Sequence, residues 1–149
     1  MAKFIYRMQS ILSVKEKLET QAKNEFAQAK IRLDEEIAKL EALKERKSAY
    51  EEEGRQMRKA AIDVQKLNEN QYAVDRMDEY IAAQQKNVEK AERELEKARV
   101  KMVEAMQESQ IHQKLKEKAF EEFKRDLSAQ EAKEIDELTS FSYGQKKDE

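Results

Sequence analysis

The sequence predicts an all-α protein: two long helices in an antiparallel coiled-coil hairpin, the second helix longer than the first and overhanging it. Three observations predict this. The 149 residues contain no proline and two glycines, Gly54 and Gly144, where average usage would supply roughly seven prolines. Ala, Glu, Lys, Leu and Arg make up 83 residues, 56% of the chain, the composition of long helices and coiled coils. Apolar residues recur at helical spacing in two stretches whose phases differ.

The first stretch runs through Phe4, Met8, Ile11, Leu18, Ala22, Phe26, Ala29, Leu33, Ile37, Leu40, Leu43 and Tyr50, in steps mostly of three or four. Its clearest sevenfold run, Phe26, Leu33 and Leu40, continues into Lys47, Gly54 and Ala61, where the apolar seam is expected to end. The second stretch is stricter. Leu67, Val74, Ile81, Val88, Leu95 and Met102 fall on every seventh residue, and as heptad position a they put Asn70, Met77, Gln84, Ala91, Ala98 and Ala105 at d.

The second ladder sits one residue out of phase with the first, which on a continuous helix rotates the stripe by about 100°. A turn between the helices resolves the conflict. Gly54 suits the residue just past a helix end, and Asp63 suits the N-cap of a helix starting at Val64. The expected organisation is one coiled-coil domain over 1–149: a first helix over about 3–53, a turn over 54–62, a second helix over 63–141 and a frayed tail at 142–149. Pairing about this turn sets Leu43 near Leu67 and Phe4 near Met106, so the overhang is expected from Gln107 to Phe141. Within it Ile111, Leu115, Phe120, Phe123, Leu127, Ile135, Leu138 and Phe141 keep roughly helical spacing, an apolar stripe without an internal partner and therefore an expected interaction site.

Charged residues reach 42% and net charge is −2, with both signs interleaved, which removes the electrostatic argument for nucleic acid. No segment approaches the roughly 20 apolar residues of a membrane span, and the opening residues carry no signal-peptide core; no direct membrane insertion is expected. With no cysteine and one histidine, His112, neither a disulfide framework nor a zinc cluster is expected. No phosphate-loop, serine-hydrolase or zinc-protease motif occurs, so the reading is a non-enzyme with no catalytic residue and no cofactor. Lys114, Lys116, Lys118, Lys124 and Arg125, balanced by Glu117, Glu121 and Glu122, read as a mixed-charge face. Tyr50, Tyr72 and Tyr80 gather near the expected turn, where they serve the seam edge or a partner.

The chain resembles a known family in three places. FIYRMQSILSVKEKLETQAKNEFAQA at 4–29 is similar to the opening of the flagellar FliJ family, QYAVDRMDEYIAAQQKNVEKAERELE at 71–96 to its central stretch, and KEIDEL at 133–138 to its C-terminal ending. The resemblance implies a component of flagellar type III protein export, needed for flagellum assembly and motility. In that family the end carrying both termini enters the ring of the flagellar export ATPase and stimulates it, while the coiled coil also contacts the export gate membrane protein and export chaperones. It implies a cytoplasmic protein, peripherally associated with the cytoplasmic face of the cell membrane. The ATPase contact would then use Phe4 and Ile11 with the stripe from Ile111 to Phe141. Leu43, Tyr50, Met77, Tyr80 and Gln84 occupy the places of the gate-contacting surface; Arg46 stands where a family member can present an aromatic. Alternatives from the same fold are the stalk protein of a virulence type III secretion system and a structural homodimeric coiled coil.

Overall fold

A computed structural model describes residues 2–147, with side chains as far as Phe141. Two helices account for it, α1 (Gln9–Lys59) and α2 (Val64–Lys147), and no strand occurs among the described residues. Packing falls into two compact units, Gln21–Val103 and Met1–Thr20 with Glu104–Glu149.

In the Gln21–Val103 unit the chain reverses within residues 60–63. Asp63 accepts the backbone N–H groups of Gln65 and Lys66 on Oδ1, at 3.1 and 3.4 Å, which satisfies two of the donors a helix start leaves orphaned. Arg58 and Lys59 close the last turn of α1, where positive charge meets the negative end of the helix dipole. The turn is therefore shorter and later than the expected 54–62. Gly54 is not a helix terminator: it lies inside α1, is buried, and has no positive φ.

Antiparallel pairing is fixed by contacts of consistent register: Lys101 to Glu25 at 2.9 Å, Arg32 to Glu94 at 3.8 Å and Lys47 to Asp78 at 2.6 Å. In this register Phe26 and Leu33 fall opposite Ala98 and Ala91, while Ala29 falls opposite Leu95, so large residues of either helix meet small ones of the other. Ala22, Met77, Val88 and Ala91 are buried. The sevenfold run of α1 does not end at Leu40: Lys47 is half-buried and Gly54 buried, both on the seam. The buried polar residues of the seam are satisfied across it. Asn70 donates to the main-chain carbonyl of Tyr50 at 2.8 Å, and Gln84 donates to the carbonyl of Glu36 at 2.9 Å and to its carboxylate at 2.5 Å.

In the other unit α1 begins at Gln9 rather than near residue 3. Residues 2–8 offer no Ser, Thr, Asp or Asn to cap an earlier start, and Phe4 instead packs against Phe120 and Phe123, with ring centroids 5.1 and 5.4 Å apart. Lys15 pairs with Glu108 at 3.4 Å and Lys116 donates to Gln9 at 2.7 Å. The expected partner of Phe4 was Met106, so the register differs by about two heptads. A hairpin fixes register by the residue about which it pairs: the expected pairs are centred on residue 55 and Phe4–Phe120 on residue 62, and a move of seven residues shifts each pairing by fourteen. Cover consequently extends to Phe123 rather than stopping before Gln107. From Ser128 to Phe141 every residue is exposed, and these form the uncovered extension. Of the tail expected to fray at 142–149, residues 142–147 continue the helical backbone, and Asp148 and Glu149 lie outside the described residues.

Candidate functional site

The seam of the unit that carries the extension is unusually polar. Among heptad positions a and d there stand Leu12, Lys15 and Glu19 on α1 and Ser109, His112 and Lys116 on α2, alongside the half-buried Ala105, Ala119 and Phe123. Leu12 and Ser109 are buried, at 2% and 0% exposure, and the Nδ1 atom of His112 is buried without a hydrogen-bond partner. Five further large apolar residues sit on one flank. Ile11, Val14 and Leu18 of α1 and Ile111 and Leu115 of α2 are all exposed. They occupy heptad positions c and g on both helices, and in an antiparallel pair the two g rows lie on the same side. Beside them a shallow depression of about 530 Å³ is lined by Ile111, Leu115, Lys114 and Lys118 together with Glu117 and Glu121.

Of the residues expected to contact an ATPase ring, Phe4, Phe123 and Leu127 are half-buried, and Phe120 is exposed while its ring meets that of Phe4 at a tilt of 60°. Ile11, Ile111 and Leu115 share the exposed flank, and Ile135, Leu138 and Phe141 project from the extension. The expected stripe is thus two surfaces, one on a covered stretch of α2 and one beyond the cover. Val14 was missed although it stands three residues from Ile11 and four from Leu18, the spacing that would have found it.

The expected gate surface divides differently. Met77 and Gln84 are buried in the seam, at 7% and 8% exposure, so they hold the helices in register and present nothing outward. Leu43 and Tyr50 are half-buried, and Tyr80 is exposed. Beside Tyr80 the Arg76 guanidinium stands 5.7 Å from the Tyr72 ring centre and 5.8 Å from that of Tyr80, a cation–π ladder on an outward face. Tyr, Arg and Tyr at four-residue steps were the available signal.

Among the described residues no group of His, Cys, Asp and Glu is placed to hold a metal ion, and no helix is long and apolar enough to cross a membrane. What the molecule offers is exposed side chains on helix faces: an apolar flank, an uncovered helical extension and an aromatic–arginine ladder. These faces belong to a protein of the helical-hairpin class.

The chain belongs to the flagellar FliJ family, whose family model, described as "Flagellar FliJ protein", matches residues 4–148. Its fold is similar to the solved structure of a protein described as a YscO homolog, CT670, from Chlamydia trachomatis, at 20% identity and a TM-score of 0.75, covering 99% of each chain. No curated protein sequence matches. The family places the chain among the helical proteins associated with type III export.

Proposed function

We propose that the protein is a stalk of the flagellar export apparatus: its termini-bearing unit enters the ring of the export ATPase and raises its activity, while the ladder side engages the export gate. The observation that carries this reading is the uncovered extension of α2, in which Ile135, Leu138 and Phe141 are 62%, 67% and 65% exposed. Three large apolar residues on an unpaired helix gain free energy only by meeting another surface. A central channel supplies such a surface on all sides of a lone helix.

On this reading Ile11, Ile111 and Leu115 meet the ring where the second helix is still covered, and Phe4 with Phe120, Phe123 and Leu127 stiffens the point of entry. Tyr80, with the edges of Tyr50 and Leu43, touches the gate; Met77 and Gln84 act through the register of the helices behind it. Export chaperones bind an exposed helix face, and membrane association is peripheral, through the gate.

Phosphate release by the flagellar export ATPase, titrated with the full chain and with a chain ending after Lys124, tests the proposal. The shortened chain keeps every cross-helix contact described above, so its helical signal should survive. Stimulation by the full chain and its loss on shortening is the expected result. Equal stimulation by both removes the extension from the mechanism, and none by either overturns ATPase coupling.

A further inference from the structure

The end of the Gln21–Val103 unit at which the chain reverses has a composition of its own. Residues 58–66, RKAAIDVQK, are all exposed, and within them Ile62 and Val64 are 68% and 66% exposed. Turns are ordinarily built from Gly, Pro, Asn, Asp and Ser, so the reversal itself gives no reason for two large aliphatics beside two alanines.

Three cations frame them. The side chains of Arg58, Lys59 and Lys66 have no ion pair or hydrogen bond among the described residues, whereas Arg55, a turn further back, is held by Glu52 at 2.8 Å. The single acid of the segment, Asp63, accepts the N–H groups of Gln65 and Lys66. The next acids, Glu53 and Glu69, are set back from the helix ends at Lys59 and Val64 by roughly 8–9 Å. The helix dipoles leave this balance unchanged, because α1 ends and α2 begins here, a negative end beside a positive one. A chain of net charge −2 therefore presents three unpaired cations and one engaged acid around an apolar tip.

We propose that this tip rests on an anionic lipid surface, with Ile62 and Val64 in the boundary between headgroups and acyl chains and Arg58, Lys59 and Lys66 among the lipid phosphates. Aliphatic side chains ringed by long cationic ones suit that boundary, since the stems lie along apolar surface while the charges stay at the headgroups. The size of the tip favours lipid over a protein: residues 58–66 are nine, and a stable protein interface takes about 20–30 residues a side. A bilayer asks for no matching shape. The contact is interfacial, no helix among the described residues being long and apolar enough to cross. It is made with lipid directly and stands whether or not the protein stimulates an ATPase.

Flotation with vesicles of phosphatidylcholine, alone or mixed with phosphatidylglycerol, tests this, with helical content checked for every chain. The full chain and the chain ending after Lys124 should both float with the anionic vesicles, on the order of tenfold to a hundredfold more than with the neutral ones, about fivefold for each cation, and less so in high salt. Ile62→Ser/Val64→Ser and Arg58→Gln/Lys59→Gln/Lys66→Gln, all at exposed positions, should each lose the binding. Because the chain has no cysteine, an environment-sensitive dye on Ala61→Cys reads the tip in the otherwise unaltered chain, and its emission should move to the blue on anionic vesicles. No flotation of the full chain overturns the proposal and leaves the tip to a protein partner. Equal binding to neutral vesicles, undiminished binding of the serine variant, or an unshifted dye on a bound chain overturns it as well. Binding lost on shortening does so too, for it would assign the lipid to Ile135, Leu138 and Phe141 of the extension.

Discussion

Asn70 fills the space that a side chain at position 54 would need: a Cβ built on Gly54 would collide with its Oδ1 and lie 3.3 Å from its Cγ. The amide cannot swing aside freely, because its Nδ2 donates to the carbonyl of Tyr50 at 2.8 Å. Gly54 is therefore a packing residue, and close approach of the helices is its purpose.

Gly54→Ala gains about 1 kcal/mol of helix propensity but displaces a buried, hydrogen-bonded amide, at a cost of about 1–3 kcal/mol. The expected outcome in urea unfolding followed by circular dichroism is net destabilisation. In an Asn70→Ala background the same substitution should stabilise, since the collision is gone. Equal effects in the two backgrounds would contradict the coupling.

Gln84 is the second buried polar layer, and the Glu36 carbonyl it bonds lies within the body of α1. Gln84→Leu should raise stability by about 1 kcal/mol through added apolar burial, at the expense of a device that fixes register. With both polar layers removed, as Asn70→Leu/Gln84→Leu, a pairing displaced by one heptad becomes accessible. Cysteines at positions 32 and 101 report it, for they lie one heptad apart from alignment; cross-linking in the double-leucine background and none in the parent is the expected pattern.

Acid should loosen the hairpin. The hydrogen bond from Lys101 holds the Glu25 carboxyl below the usual glutamate value of 4.5, and the Gln84 amide does the same for Glu36. A group whose folded value is depressed contributes stability that is complete above its unfolded value and is lost as pH falls through the folded one. Thermal midpoints should therefore fall below about pH 4.5, less steeply in a Glu25→Gln variant. At the other extreme, Asp78 raises the Lys47 ammonium above its ordinary value, so that contribution persists at neutral pH and fades only in strong alkali.

Hydrogen exchange should locate the end of cover. Amides of α2 from Val74 to Val100 are expected to exchange slowly and those beyond Ser128 rapidly, with the boundary after Phe123 rather than at Gln107. Phe4→Ala, which removes both ring contacts, should move the boundary toward Lys116. Protection that is uniform along α2 would contradict an uncovered extension.

Sequence patterning located the second helix well, because Leu67 to Met102 keep a strict sevenfold ladder and Asp63 caps where a capping residue should. It misplaced the turn because Gly54 carries two opposed meanings, helix terminator and close-packing residue, and only the position of Asn70 tells them apart. It misread the seam near the termini for a related reason. Leu12 is buried while Ile11 and Leu18 are exposed, yet the neighbours of Leu12 along the seam are Lys15 and Glu19, so counting apolar residues favours the flank. The surfaces for partners were legible as apolar residues in excess of what two helices can bury. Their division into a flank and an extension depended on register, which the turn sets and periodicity alone does not.

The cross-helix bonds of Asn70 and Gln84 have a mechanical meaning. Apolar ridges in a coiled coil can ride over one another and settle a heptad further on, with nothing broken between the two resting places. A side chain tied to one particular carbonyl of the opposite backbone has no second place to rest. A pull along one helix is therefore met in shear by both bonds together, and the pair resists creep under load up to the force at which those bonds give way.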